Sequence, residues 1–209
     1  MNSNAESIDS DKRDVLKEIA NIGAGHAATA LAALLERPIN QTVPDVMLIP
    51  LSEMPDRLGG AEKIVVAGLL EIQGEMTGFF MVVLEISQAE RIISMMLHKK
   101  MRKHSDEGRR FSAIEKSVIA ETVNILGGSY LTAVNEMTGL NLQPSTPYLS
   151  IDMVGAVLNI AMAEAGKSGN FAVMFKSELS NEQECLIGDL FLIPEKSSCD
   201  KILGSLGYM

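Results

Sequence analysis

Cysteine, histidine and positive charge are all scarce in this 209-residue chain, and each scarcity removes a class of function. The two cysteines, Cys185 and Cys199, have no CxxC spacing, so neither a disulfide framework nor a zinc site is indicated. His26, His98 and His104 stand apart, without an HExxH pair or a second ligand cluster, and no metal site of the chain's own is expected. With 18 basic against 27 acidic residues the net charge is -9, and there is no basic surplus to displace counterions from phosphates. A nucleic-acid binder is therefore not expected. Long apolar runs are also missing: the strand-like run Phe79 to Leu84 falls far short of the roughly 20 residues that a membrane-spanning helix needs. The first residues, MNSNAESIDSDKRD, are polar and acidic and contain no apolar signal-peptide core, which makes the cytoplasm the expected compartment.

What the chain does have is hydrophobic content, 46%, enough for one sizeable core or two small fused ones, and an internal repeat. NIGAGHAATAL from Asn21 and NILGGSYLTAV from Asn124 align at a constant offset of 103 residues (124 − 21 and 121 − 18). Glu18, Asn21, Ile22, Gly25, Thr29 and Ala30 then match Glu121, Asn124, Ile125, Gly128, Thr132 and Ala133, and the same offset carries Pro44 onto Pro147. Further on the offset becomes 110, taking Gly78 to Gly188 and the helix-start pair Ser87/Glu90 to Ser197/Asp200.

Periodicity predicts the elements of each half. A long helix runs from about Asp11 to Glu36, with Val15, Ile19, Ile22, Ala27, Ala30 and Leu34 at helical spacing. Its partner starts at Ser112, where a capping box closes on Glu115, and ends near Thr138, with Gly139 as the stop. Short strands follow, around Val46 to Leu51 and Tyr148 to Ile151. Next come a small helical piece, Ser52 to Leu58, and a longer one, about Asp152 to Glu164. Two β-rich runs close each half: Ile64 to Ile72 with Met76 to Ile86, and Phe171 to Ser177 with Cys185 to Ile193. The fold class is α/β, internally duplicated, with two α-β-α-β-β-α halves. The repeats span about residues 11–98 and 112–207 of a single domain, and a linker at 99–110 carries six of the basic residues.

Chemistry is sought first in what is duplicated. Residues three apart on a helix are surface neighbours, so Glu18/Asn21 and Glu121/Asn124 each present a carboxylate beside an amide. The spacing extends that face through Gly25, Ala28 and Ala32 in one helix and through Gly128 and Leu131 in the other, with little bulk near the Asn. Each helix carries two interior glycines, Gly23/Gly25 and Gly127/Gly128, at on the order of 1 kcal/mol each relative to alanine. Two accounts stand open: docking of another molecule on the helix face, or close packing against the protein's own sheet. Gly23-Ala24-Gly25-His26-Ala27-Ala28 also fits the G-x-G-x-x-A dinucleotide fingerprint, but the fingerprint needs a strand before it, and VLKEIANI reads as helix. No Ser or Cys occupies a nucleophile elbow. An Asn amide cannot act as a base near neutral pH, yet it can hold a water in fixed orientation, which suffices for a substrate as activated as an acyl phosphate.

These segments, EIANIGAGHAATAL and ETVNILGGSYLTAV with the following Pro44 and Pro147, resemble the CheC family of bacterial chemotaxis phosphatases over nearly the whole chain. The related CheX proteins carry one such motif per chain, and FliY adds a further domain. The resemblance implies a CheC-like fold of pseudo-two-fold symmetry, with long helices packed on a β-sheet. It implies as substrate the aspartyl phosphate of the response regulator CheY, with Asn21 and Asn124 orienting the attacking water. Glu18 and Glu121 would pair with the CheY active-site lysine, and Gly25 and Gly128 would lie in the contact. Magnesium would belong to CheY, and no cofactor of the chain's own is implied. The family also implies a second partner, the receptor deamidase CheD, here assigned to the segment from Ser150 to Ala156, with Asp152 as its acidic residue. The alternative is a non-catalytic module that binds phosphorylated CheY or CheD through the same faces.

Overall fold

The computed structural model describes residues 10–42, 45–97, 110–164, 171–180, 185–195 and 198. Pro44, His98, His104, Cys199, the basic run up to Arg109 and the second helix-start pair, Ser197/Asp200, lie outside them.

Both long helices form where the periodicity places them, α1 at Ser10–Leu35 and α4 at Ala113–Thr138. At the start of α4 the Ser112 Oγ accepts from the Glu115 N–H at 3.4 Å, and the Ser112 N–H donates to Glu115 Oε2 at 2.8 Å, closing the predicted box. Gly139 ends it at φ 72°, a left-handed conformation that glycine adopts without a Cβ penalty. The dinucleotide fingerprint sits wholly inside α1, with no strand before it among the described residues.

Between and after the long helices come β1 (Asn40–Gln41), β2 (Asp45–Pro50), a 3₁₀ turn (Leu51–Glu53), α2 (Met54–Arg57), β3 (Ile64–Gly74), β4 (Gly78–Glu85) and α3 (Ile86–Leu97) in the first half. The second half contributes β5 (Leu142–Pro144), β6 (Tyr148–Met153), α5 (Val154–Glu164), β7 (Phe171–Ser180) and β8 (Cys185–Pro194). The 103-residue offset that takes Asp45 to Tyr148 also takes Pro50 to Met153, so β2 and β6 are the same element in two copies. The short strands β1 and β5 were not expected, several strand ends shift by one to three residues, and two expected boundaries fall elsewhere with consequences for named residues. Strand β6 runs on through Met153, so Asp152 lies in a strand and not at a helix start. Helix α3 begins at Ile86, which puts Ser87 inside it rather than at its cap.

The eight strands of the described residues join one antiparallel sheet in the order β7-β8-β4-β3, with β1 and β2 both on the outer side of β7, and β5 and β6 both on the outer side of β3. The halves are interleaved. Strand β2 of the first half pairs with β7 of the second, and β6 of the second pairs with β3 of the first. At the centre β4 runs against β8, and Met81 faces Phe191. The 110-residue offset read from the sequence relates those two residues, and it places a local two-fold axis at the pair.

Alternating strand residues divide the sheet's two faces between two cores. One face, with Val66, Leu70, Phe80, Val82, Phe175, Leu190 and Leu192, is covered by α1, α3 and α4. The other, with Val65, Ala67, Met81, Val83, Met174, Phe191 and Ile193, is covered by α2 and α5. Tyr130 of α4 is 1% exposed and packs between Phe80 and Phe175, with ring centroids 5.6 and 5.1 Å away. Such tilted pairs add about 0.5–1.5 kcal/mol each beyond simple burial. They fix α4 over the sheet centre and, through the helix–helix contact below, α1 beside it.

Candidate functional site

The buried stripes of α1 and α4 turn Ile19, Ala20, Ala24, Ala27 and Leu31, and Ile119, Val123, Tyr130 and Val134, toward the sheet. The Glu-x-x-Asn pairs are left on the outer side. Glu18, Glu121 and Asn124 are exposed, and Asn21 is half-buried. Among the described residues none of these four side chains has a hydrogen-bond or ion-pair partner of its own. These are uncommitted. Elsewhere in the helix layer His26 Nε2 of α1 lies 3.9 Å from Glu136 Oε2 of α4.

The expected face needs one correction. Ala28 and Leu131 are 7% and 1% exposed and belong to the core, because they fall on the edge of the buried stripe. The exposed face continues instead through half-buried Gly25 to exposed Thr29, and through half-buried Gly128 to exposed Thr132. Thr29 Oγ1 donates back to the Gly25 carbonyl at 2.9 Å.

The two accounts of the glycines are both correct, for different glycines. A Cβ on Gly23 would lie 2.9 Å from Tyr130 Cγ and 3.1 Å from Tyr130 Cα, so this glycine lets α1 and α4 approach closely. A Cβ on Gly127 would lie 2.2 Å from Leu70 Cδ1. These two glycines serve packing, and they are not repeat partners of each other: the 103-residue offset takes Gly23 to Leu126 and brings Ala24 to Gly127. Gly25 and Gly128 are repeat partners. Around Gly128 nothing lies within 4 Å of an added Cβ, and around Gly25 only the Gln41 amide does, with Nε2 at 3.5 Å. A helix-weakening residue kept in both copies, with no packing that requires it, leaves the outer face bare one turn beyond each Asn. Gly128→Ala is accordingly expected to stabilise the fold by up to about 1 kcal/mol, while Gly23→Ala and Gly127→Ala destabilise it. Thermal melts of the three variants check the split.

Asp152 is placed elsewhere. It is exposed on edge strand β6, in register with Val65, and its Oδ1 accepts from the Met153 N–H at 2.8 Å. Its neighbour Ile151 packs on the α1/α4 side, so alternation turns Asp152 to the α2/α5 side of the sheet, away from both Glu-x-x-Asn pairs. Exposed Tyr148 and Met153 share its strand. Asp189, also on that side, has its carboxyl raised above the ordinary range by burial, while Lys176 and Lys63 pull it down and Glu85 pushes it up. It has no part in the helix faces. Among the described residues no three His, Cys, Asp or Glu side chains come together as a metal site requires, and no helix is long and apolar enough to cross a membrane.

Gln41 was not legible in the sequence. A two-residue strand has no periodicity to detect, and only the folded chain brings this residue against Gly25.

The sequence signature of the CheC-like family matches residues 12–48 and 114–151, two stretches that each contain one Glu-x-x-Asn pair. The CheY-P phosphatase CheC of Bacillus subtilis is 36% identical over 203 residues, covering 96% of each chain. The flagellar motor switch phosphatase FliY of the same organism is 29% identical over 140 residues, 67% of this chain and 35% of that one. In fold, the crystal structure of Thermotoga maritima FliY superposes with a TM-score of 0.75 at 19% identity, over 96% of this chain and 98% of that one.

Proposed function

The chain belongs to the CheC-like family, and on that premise we propose that it is a phosphatase acting on the aspartyl phosphate of phosphorylated CheY, in the cytoplasm. The observation that carries the proposal is the duplicated, uncommitted Glu-x-x-Asn pair, followed in each copy by a glycine that packing does not require.

In this reading a CheY molecule seats its phosphorylated site against one helix face, and Gly25 or Gly128 lets it approach closely. Asn21 or Asn124 then reaches the acyl phosphate, and its amide holds a water in line with the phosphorus–oxygen bond to be broken. Attack on phosphorus releases inorganic phosphate and restores the aspartate carboxylate. Glu18 or Glu121 pairs with the lysine of the CheY site and so fixes the angle of approach. Magnesium arrives with CheY and neutralises charge on the phosphoryl oxygens; this chain needs only to orient. CheD is proposed as a second partner, held through the Asp152 segment. Because Asp152 faces the other side of the sheet from the helices, CheD and CheY would not compete for the same residues.

Phosphate release from phosphorylated CheY in the presence of magnesium tests the assignment. Catalytic amounts of the chain are expected to shorten the lifetime of the acyl phosphate with multiple turnovers. A chain that binds phosphorylated CheY but leaves the lifetime unchanged or lengthened is the non-catalytic module instead.

A further inference from the structure

The two helix faces are not equal, and the inequality lies outside the repeated motif. Gln41, the second residue of β1, pairs through its backbone with Leu179 of β7 and turns its side chain onto α1. Its amide rests against Gly25, Nε2 at 3.5 Å and Oε1 at 4.0 Å from where a Cβ would be, one helical turn from Asn21. The Oε1 is shut off from solvent and accepts no hydrogen bond. In the second half the 103-residue offset takes Gln41 to Pro144. The register agrees, because Pro144 sits opposite Ile72 on the outer side of β3, as Gln41 sits opposite Leu179 on the outer side of β7. Proline has no amide side chain, and the space around Gly128 is empty to 4 Å.

Resting on the phosphatase reading above, we infer that Gln41 is a specificity-determining residue of the first site alone: a primary amide that a CheY molecule seated on Gly25 must touch, with no counterpart beside Gly128. A partner that reaches Asn21 lies over the bare Gly25 surface, where Gln41 is the polar group nearest to hand. With Oε1 shut off from solvent, Nε2 is the end of the amide that a docking protein can meet, and it suits an exposed carbonyl or carboxylate oxygen as a donor. The contact belongs to docking and not to the water that Asn21 orients. It therefore sets how tightly the first site holds CheY, not how fast the held phosphate is released.

The test isolates each site in the full chain. In an Asn124→Ala background only the first site works, and in an Asn21→Ala background only the second. Gln41→Ala is expected to raise KM for phosphorylated CheY roughly 2- to 10-fold in the first background, the range of one net hydrogen bond, with kcat unchanged. No change is expected in the second background. Gln41→Asn, which keeps the amide but withdraws it from Gly25, should act in the same direction and serves if the alanine variant folds poorly. An unchanged KM in the first background, an equal rise in both, a fall in KM, or an effect on kcat alone would each overturn the inference. Failure of the phosphatase reading looks different: the unaltered chain would leave the lifetime of the acyl phosphate unchanged, whatever stands at position 41.

Discussion

Replacing Asn21 and Asn124 together by Ala is expected to remove at least about 99% of the acceleration of CheY dephosphorylation, because orienting the attacking water is the chemical work assigned to these side chains and orientation is worth factors of 10² and more. The fold should not change. Asn124 is exposed, Asn21 is half-buried, and neither amide has a hydrogen-bond partner among the described residues, so truncation leaves no buried group unsatisfied. Alanine is also the better helix former, so the double variant should melt at the same temperature as the parent or slightly above it. Phosphate release and a thermal melt on the same preparation separate lost chemistry from lost structure. Full activity in the double variant would remove both Asn residues from the mechanism. Each single variant should retain the activity of the intact face, and the two remainders should differ in KM, since one face has the Gln41 amide beside it and the other does not.

The repeat was legible because duplication leaves a constant offset, and a constant offset needs no structure to find. Helix α4 was legible to its ends because Ser112, Glu115 and Gly139 encode their roles locally, through short-range hydrogen bonds and a left-handed cap. Strand exchange was not. Nothing in the alternation of β2 says whether it will lie beside its own hairpin or the other one, since either edge offers the same backbone groups and a similar apolar face. The same limit applies to Ala28 and Leu131. Helical spacing places them near the Asn, but where the buried stripe ends depends on how α1 and α4 pack together and on the sheet. Within the candidate site, then, the Glu-x-x-Asn pairs proposed to act on CheY were readable as a repeated pattern. The roles of the four helix glycines and the position of Gln41 depend on contacts between distant segments, and those exist only in the folded chain.

Gly68→Ala should be among the most damaging conservative substitutions in the protein, costing about 1–3 kcal/mol as an overpacked core does. Gly68 lies in the middle of β3, where glycine is a poor strand former, so its presence there signals a close approach. The approaching side chain is Val123 of α4: a Cβ on Gly68 would stand 2.5 Å from both of its Cγ atoms and 3.0 Å from its Cβ. Val123 is 1% exposed and β-branched, and in a helix such a side chain has one strongly preferred rotamer. Rotation cannot relieve the overlap, since both methyl groups lie equally near. The helix itself must move away from the sheet. Asn124 is the next residue, so the displacement falls on the second site. Urea unfolding should show the loss of stability. With Asn21→Ala isolating the second site, kcat should fall further than in the converse background, where Asn124→Ala leaves the first site to be read. Trimming the obstacle supplies the control. If steric overlap with Val123 is the cause, adding Val123→Ala to Gly68→Ala should recover part of both stability and second-site rate, although Val123→Ala alone, by opening a cavity, destabilises. Strictly additive losses in the pair would mean that Gly68 serves the sheet for some reason other than the seat of α4.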